Sequence, residues 1–195
     1  MKNYLKKLIN KEDLSAAEIR RAIALLLEEA TPSAQKGAFL ALLAAKGEKP
    51  EEVSAVAKIF ERQMVRVSGL KNALDIVGTG GDGHDTLNVS TLACFVCAYL
   101  GVPIAKHGTR ALSSKCGSFD LLEALGVPIS KSFVDARRQF QKYGLTFLFA
   151  PNFHPAFKNI HSVRREIGIR TIFNFVGPLL NPGNASFQVV GVSDK

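Results

Sequence analysis

The sequence predicts an α/β protein: a small all-helical N-terminal domain, then a larger domain built on a mainly parallel central sheet. Three observations predict it. Residues 1–70 place their apolar side chains at helical spacing only. Beyond Gly69, short apolar runs alternate with helical patterns. Glycine- and hydroxyl-rich loops follow the first two of those runs, where an open α/β sheet keeps its ligands. Strands alternating with helices imply right-handed crossovers and parallel pairing. The expected domains are 1–70 and 71–195, with a helix from about 155–180 as a candidate addition to the helical part.

In the first 70 residues, Ser15 and Glu18 form a capping-box pair, and Ile19, Ala22, Ile23, Leu26, Leu27 and Ala30 follow at helical spacing. Thr31, Pro32 and Ser33 interrupt the pattern before an alanine-rich helix that runs to Gly47. Pro50 suits a first helical turn, after which Val53, Val56, Ala57, Phe60, Met64 and Val67 make one stripe that Gly69 stops. Residues 73–77 then read as a short buried strand, 89–100 as a helix and 102–106 as a second strand. Helices are expected at 121–125 and 133–143, and an apolar strand at 145–150, ended by Pro151. A basic helix at 155–167, a short helix at 172–175 and a strand at 187–192 complete the order.

Of the 195 residues, 47% are hydrophobic and 22% charged, which excludes a fibre or a long disordered chain. The longest apolar stretch, 93–105, contains Gly101 and Pro103 and is shorter than the ~20 residues of a membrane span. The amino end has no apolar run suited to a secretory signal, so the expected location is the cytoplasm, with no membrane partner. Three cysteines, an odd number, make no disulfide framework. Cys94 and Cys97 have C-x-x-C spacing in a wholly apolar context and are expected to be buried hydrophobes. The net charge of +8 includes a stretch, 131–170, with eight basic and two acidic residues. Such a patch suits a polyanion, either nucleic acid or a phosphorylated small molecule.

Asp75-Ile76-Val77 leads into Gly78-Thr79-Gly80-Gly81-Asp82-Gly83. Glycines directly after a buried strand expose backbone N–H groups with no Cβ in the way, as an anionic phosphate requires. No Gly-Lys-Ser/Thr follows, and the G-x-G-x-x-G spacing is absent, so neither the Walker loop nor the dinucleotide fingerprint applies. Asn88, Val89, Ser90 and Thr91 begin the next helix, where hydroxyls and the helix dipole favour phosphate or a magnesium ion. The third element, Lys106-His107-Gly108-Thr109-Arg110-Ala111-Leu112-Ser113-Ser114, combines a point charge, a planar cationic fork and hydroxyls, and Ser118 adds another.

Together with residues 118–126 and 170–182, these segments resemble the anthranilate phosphoribosyltransferases of tryptophan biosynthesis, and the resemblance spans nearly the whole chain. It implies transfer of a phosphoribosyl group from phosphoribosyl pyrophosphate to the amine of anthranilate, with release of pyrophosphate and use of Mg2+. By the same resemblance, Gly78, Thr79, Gly80, Gly81, Asp82, Thr86, Asn88, Val89, Ser90 and Thr91 contact the sugar pyrophosphate, with Ser90 reaching magnesium. Lys106, His107, Gly108, Thr109, Arg110, Ala111, Leu112, Ser113, Ser114 and Ser118 supply further phosphate contacts. Anthranilate falls to Gly78, His107, Thr109, His154, Arg164 and Pro178, with Arg164 on its carboxylate. No side chain is assigned as a general acid or base. The resemblance also implies a homodimer through the N-terminal helices.

Three departures accompany it. Thr109 stands where family members usually have Asn, and Phe119 where the residue is usually small. The family's later Asp-Glu magnesium pair has no counterpart up to Lys195, so the sheet is expected to lack its C-terminal part, with an exposed strand edge and an enzyme inactive alone. Two alternatives stand beside the enzyme. The basic stretch fits a nucleic-acid-binding relative of the same fold. Pyrimidine nucleoside phosphorylases are similar in outline, but a Lys-His pair precedes their glycine loop.

Overall fold

The computed structural model describes residues 1–79, 87–111 and 116–192. Four helices come first: α1 (Lys2–Ile9), α2 (Ala16–Leu27), α3 (Ser33–Lys46) and α4 (Pro50–Gln63). Helix α2 starts where its sequence says it should: Ser15 Oγ accepts the Glu18 N–H at 3.3 Å, and Glu18 Oε2 accepts the Ser15 N–H at 3.0 Å. Its face of Ile19, Ala22, Ile23 and Leu26 is fully buried, but the helix stops at Leu27, leaving Ala30 exposed outside it. Likewise α4 ends at Gln63, so Val67 is not part of its stripe. That residue packs with Leu70 and Ala73 against the sheet, and Gly69 turns the chain at φ +88°.

The second part of the chain runs β1 (Leu74–Gly78), α5 (Val89–Tyr99), β2 (Ile104–Gly108), α6 (Ser118–Ala124), α7 (Phe133–Tyr143) and β3 (Leu145–Phe149). It continues with α8 (Ala150–Phe153), a 3-10 turn Pro155–Phe157, α9 (Lys158–Ile167), α10 (Ile172–Val176), a second 3-10 turn Gly177–Leu179, and β4 (Phe187–Gly191). The described strands form one parallel sheet in the order β3-β2-β1-β4. Helix α8 was not expected from the sequence; four residues are too few to print a period. One face of the sheet packs Leu74, Ile76 and Phe147 against Cys94 of α5 and Phe119 and Leu122 of α6. Cys97 is only half-buried.

The largest core lies among the helices and does not end with α4. Ile160 and Val163 of α9, Ile172, Phe173 and Val176 of α10, and Leu180 close it together with Ile23, Leu40, Val56 and Phe60. The 158–180 segment thus ties the helical cluster to the sheet's carboxyl end, where β1 and β2 open into a cleft. At the edge of the sheet beside β1, all five residues of β4 are exposed.

Candidate active site

A cavity of about 280 Å³ sits at the carboxyl ends of β1 and β2. Residues 77–79, 106–111 and 116–118 line one side, with Asn88 and Ser90 at the start of α5. Phe157, His161, Arg164, Phe173, Asn174, Gly177 and Pro178 line the other. The chain thereby joins two chemistries in one space: a backbone- and hydroxyl-rich wall from the sheet domain, and an aromatic wall with a guanidinium from α9 and α10.

The first wall is built for an anion. Asn88 precedes α5 without making a side-chain cap, and the first turn of α5 holds no acidic residue. The Val89 N–H donates to the Leu87 carbonyl at 2.7 Å and the Thr91 N–H to the Asn88 carbonyl at 3.0 Å, so it is chiefly the helix dipole that favours negative charge there. The loop after β2 is pinned by Asp120, whose Oδ2 accepts the N–H groups of Ala111 at 2.8 Å and Gly117 at 2.7 Å. Ser118 Oγ donates to the Thr109 carbonyl at 3.3 Å, and a Cβ on Gly108 would meet that hydroxyl at 2.7 Å. Lys106 is 2% exposed; its Nζ donates to the Ile76 carbonyl at 2.5 Å, and burial pushes its pKa down. Arg110 turns to the rim, where it pairs with Glu123 and lies 4.6 Å from the Phe149 ring centroid.

The second wall is aromatic and carries one cation. The Arg164 guanidinium lies 5.1 Å from the Phe173 centroid and makes no ion pair among the described residues; burial pushes its pKa down to about 10. The planar fork of a half-buried guanidinium matches the geometry of a carboxylate. His107 closes the floor. Its pKa is driven to about 3, first by burial and then by His154, so it stands neutral.

The cavity gathers Gly78, Thr79, Asn88, Ser90, Lys106, His107, Gly108, Thr109, Arg110, Ala111, Ser118, Arg164 and Pro178, all expected from the sequence. Three expected residues are not part of its lining. Val89 points outward at 67% exposure, Thr91 is fully buried, and His154 lies behind His107. Gly80, Gly81, Asp82, Thr86, Leu112, Ser113 and Ser114 lie outside the described residues. The sequence reading missed Phe157 and His161, although with Arg164 they fall at i, i+4 and i+7 on one helical face. It also missed Phe173 and Asn174, which sit in a helix too short to show a period.

Among the described residues no group of three or more His, Cys, Asp or Glu side chains is arranged for a metal ion. Magnesium takes oxygen ligands and keeps several waters. Ser90, a hard oxygen on the cavity wall, therefore fits one position of an ion that arrives with a polyphosphate. It does not make a resident cage.

The chain matches the glycosyl transferase family, a/b domain, over residues 70–195, and the glycosyl transferase family, helical bundle domain, over residues 2–64. It is 49% identical to an anthranilate phosphoribosyltransferase of Persephonella marina, covering 100% of this chain and 58% of the relative. It is 46% identical to that of Methanosarcina acetivorans, covering 100% and 53%. Among solved structures, anthranilate phosphoribosyltransferase from Thermus thermophilus superposes with a TM-score of 0.83 at 41% identity, over 98% of this chain and 58% of that one. The Saccharomyces cerevisiae enzyme in complex with PRPP and Mg gives 0.86 at 33%, over 99% and 58%. The chain spans a little over half the length of the curated relatives it matches.

Proposed function

The chain belongs to the glycosyl transferase family, and from that membership we propose that its cavity serves anthranilate phosphoribosyl transfer. The anthranilate nitrogen bonds to C1 of the sugar, the C1–O bond to pyrophosphate breaks with its electron pair leaving on pyrophosphate, and the amine loses a proton to solvent. The observation that carries this reading is the meeting, in one cavity, of the uncapped α5 terminus and Gly78–Ser118 wall with the Arg164–Phe173 wall. A doubly phosphorylated pentose suits the first, and an aromatic carboxylate suits the second.

The residues divide the work. Gly78, Thr79, Asn88, Ser90, Lys106 and residues 108–111 hold the sugar phosphates, with Ser118 buttressing the loop through the Thr109 carbonyl. Gly80, Gly81, Asp82, Thr86, Leu112, Ser113 and Ser114 join them by the family resemblance. Arg164 takes the carboxylate, while Phe173, Phe157 and Pro178 flank the ring and turn the amine toward C1. The arylamine attacks as a neutral base onto an oxocarbenium-like carbon, so orientation and leaving-group stabilisation carry the rate. Neutral His107 fits that demand, because it neither protonates the amine nor repels the developing cation. Ser90 would offer one oxygen to a magnesium ion arriving with the pyrophosphate, and such an ion would offset charge on the leaving group.

The same reading places the reaction in the cytoplasm and pairs two copies through the N-terminal helices; light scattering tests the pairing. No described helix is long and apolar enough to cross a membrane. Calorimetric titration with phosphoribosyl pyrophosphate, with and without magnesium, tests the assignment. Saturable, magnesium-dependent binding supports it, as does anthranilate binding that requires Arg164. Tight, steeply salt-dependent oligonucleotide binding with indifference to the sugar would replace it with a nucleic-acid role. Phosphorolysis of thymidine would replace it with a nucleoside phosphorylase.

A further inference from the structure

Strands β1 and β2 share a single paired position, Leu74 with Ile104, whereas β1 with β4 and β2 with β3 each pair over five. Toward the cavity, side chains take over where this ladder stops. Asp75 Oδ1 accepts the His107 N–H at 3.2 Å, and Lys106 Nζ crosses back to the Ile76 carbonyl. The other carboxylate oxygen of Asp75 accepts from Gln188 Nε2 on β4 at 3.3 Å. One fully buried carboxylate therefore touches three adjacent strands. Gln188 also donates to the Pro178 carbonyl at 2.6 Å, and Asn181 Nδ2 to the Ala105 carbonyl at 2.8 Å, so the link extends to the turn that carries Pro178.

An ionisable carboxylate fully removed from water is costly and persists where its hydrogen bonds and a nearby opposite charge compensate it. The compensation here comes from the His107 amide and Lys106, whose residues line the cavity, and from Asn181 and Gln188, which do not. Asp75 lies three residues before Gly78, and the amide it accepts lies one residue before Gly108. We infer that Asp75 is a positioning residue: by accepting the His107 amide where the β1–β2 ladder stops, it fixes the spacing of the two strand ends that face the sugar phosphates. This rests on the phosphate-binding reading of the same cavity. Asp75 itself does not line the cavity. An apolar side chain in its place would strand the His107 N–H in the interior and let the two strand ends part.

The test uses Asp75→Ala, Asp75→Asn and Gln188→Leu in the full chain. Two readouts are followed: hydrogen exchange at the His107 amide, and calorimetric affinity for phosphoribosyl pyrophosphate with magnesium. Asp75→Ala is expected to speed His107 exchange and to weaken sugar binding, each by about tenfold or more. Asp75→Asn keeps an acceptor for the amide and is expected to recover most of both. Gln188→Leu spares the His107 link, so both readouts should stay within about twofold even if the melting temperature falls. Asp75→Ala with unchanged exchange and affinity overturns the inference, and so does an Asn variant no better than Ala. Should Asp75→Ala not fold, the Asn variant decides alone: unchanged His107 exchange with lost affinity overturns it. If the wild-type chain takes no sugar pyrophosphate, the functional reading fails, while His107 exchange still decides whether Asp75 holds the strand ends.

Discussion

The imidazoles of His107 and His154 lie with ring centroids 5.0 Å apart, and each side chain is less than 5% exposed. His107 Nε2 and both ring nitrogens of His154 make no hydrogen bond of normal geometry among the described residues, and the nearby Gly177 and Leu180 backbones only partly offset burial. Burial pushes His154 to about 4, and burial together with His154 pushes His107 to about 3. Two neutral rings thus back the cavity between the sheet and the 3-10 turn.

Acid should therefore destabilise this protein well above the carboxylate range. A histidine in the unfolded chain titrates near 6.5, so between about pH 6.5 and 4 the unfolded state binds protons that the native state refuses. The stability from neutral burial is complete above 6.5 and is lost as pH falls through that window. Glu18, held at about 2 chiefly by Lys7, adds its loss only below its unfolded value of 4.5. Urea midpoints should drop from pH 7 to pH 5, and His154→Gln should flatten that slope whatever it does to the midpoint at pH 7. An unchanged slope would remove the histidine pair as its cause.

Arg164→Met separates binding from stability. Loss of a charged hydrogen-bonding fork should weaken anthranilate by about 10- to 100-fold, from about 1.5–3 kcal/mol. Affinity for the sugar pyrophosphate should change by less than about twofold, because the two walls meet different ligands. Removing a cation that burial disfavours should leave the melting temperature level or raised. A melting temperature that collapses would mean that Arg164 serves packing.

Glu52 tests a different energy. Its carboxylate is 1% exposed and accepts from the Leu14 N–H at 3.0 Å, the Lys49 N–H at 2.9 Å and Lys46 Nζ at 2.9 Å. Glu52→Ala leaves Lys46, whose side chain is 2% exposed, short of its buried partner, at a cost of about 3–5 kcal/mol in a chemical denaturation series. Removing the exposed carboxylate of Asp13 from the same lysine should cost far less, because water solvates that side of the pair.

Gly117→Ala should damage the phosphate wall. A Cβ there would stand 2.3 Å from the Ala111 nitrogen and 2.6 Å from the Arg110 carbonyl carbon, so backbone must move. The Asp120 clamp on Ala111 and Gly117 would open, costing about 1–3 kcal/mol and weakening sugar pyrophosphate binding before anthranilate binding. Calorimetry with each ligand separates the two. Gly126→Ala, at φ +69° with open space around it, is a control for backbone strain without the clash.

Local patterns were legible where a residue acts through its chain neighbours. Ser15 and Glu18 announce the start of α2 because both partners lie within one turn. Lys106 and the loop after it could be placed at a strand's carboxyl end from the apolar run before them. Ala30 and Val67 misled because a helical period continues in sequence past the point where a turn redirects the chain. Asp75 carried a signal that periodicity alone does not interpret: a carboxylate inside a buried strand needs partners, and its partners lie 32 and 113 residues away.

By itself the sequence determined the helical and α/β halves and the glycine- and hydroxyl-rich loops that follow the first two strands, since these follow from spacing, caps and residue type. Tertiary structure alone decided that α9 and α10 close the helical core and bring Arg164 into one cavity with Gly78, that His154 lies behind His107, and that Asp75 accepts the His107 amide from the neighbouring strand. Those relationships depend on which distant segments exclude water from one another, and burial of that kind is a property of the packed chain that no local window contains.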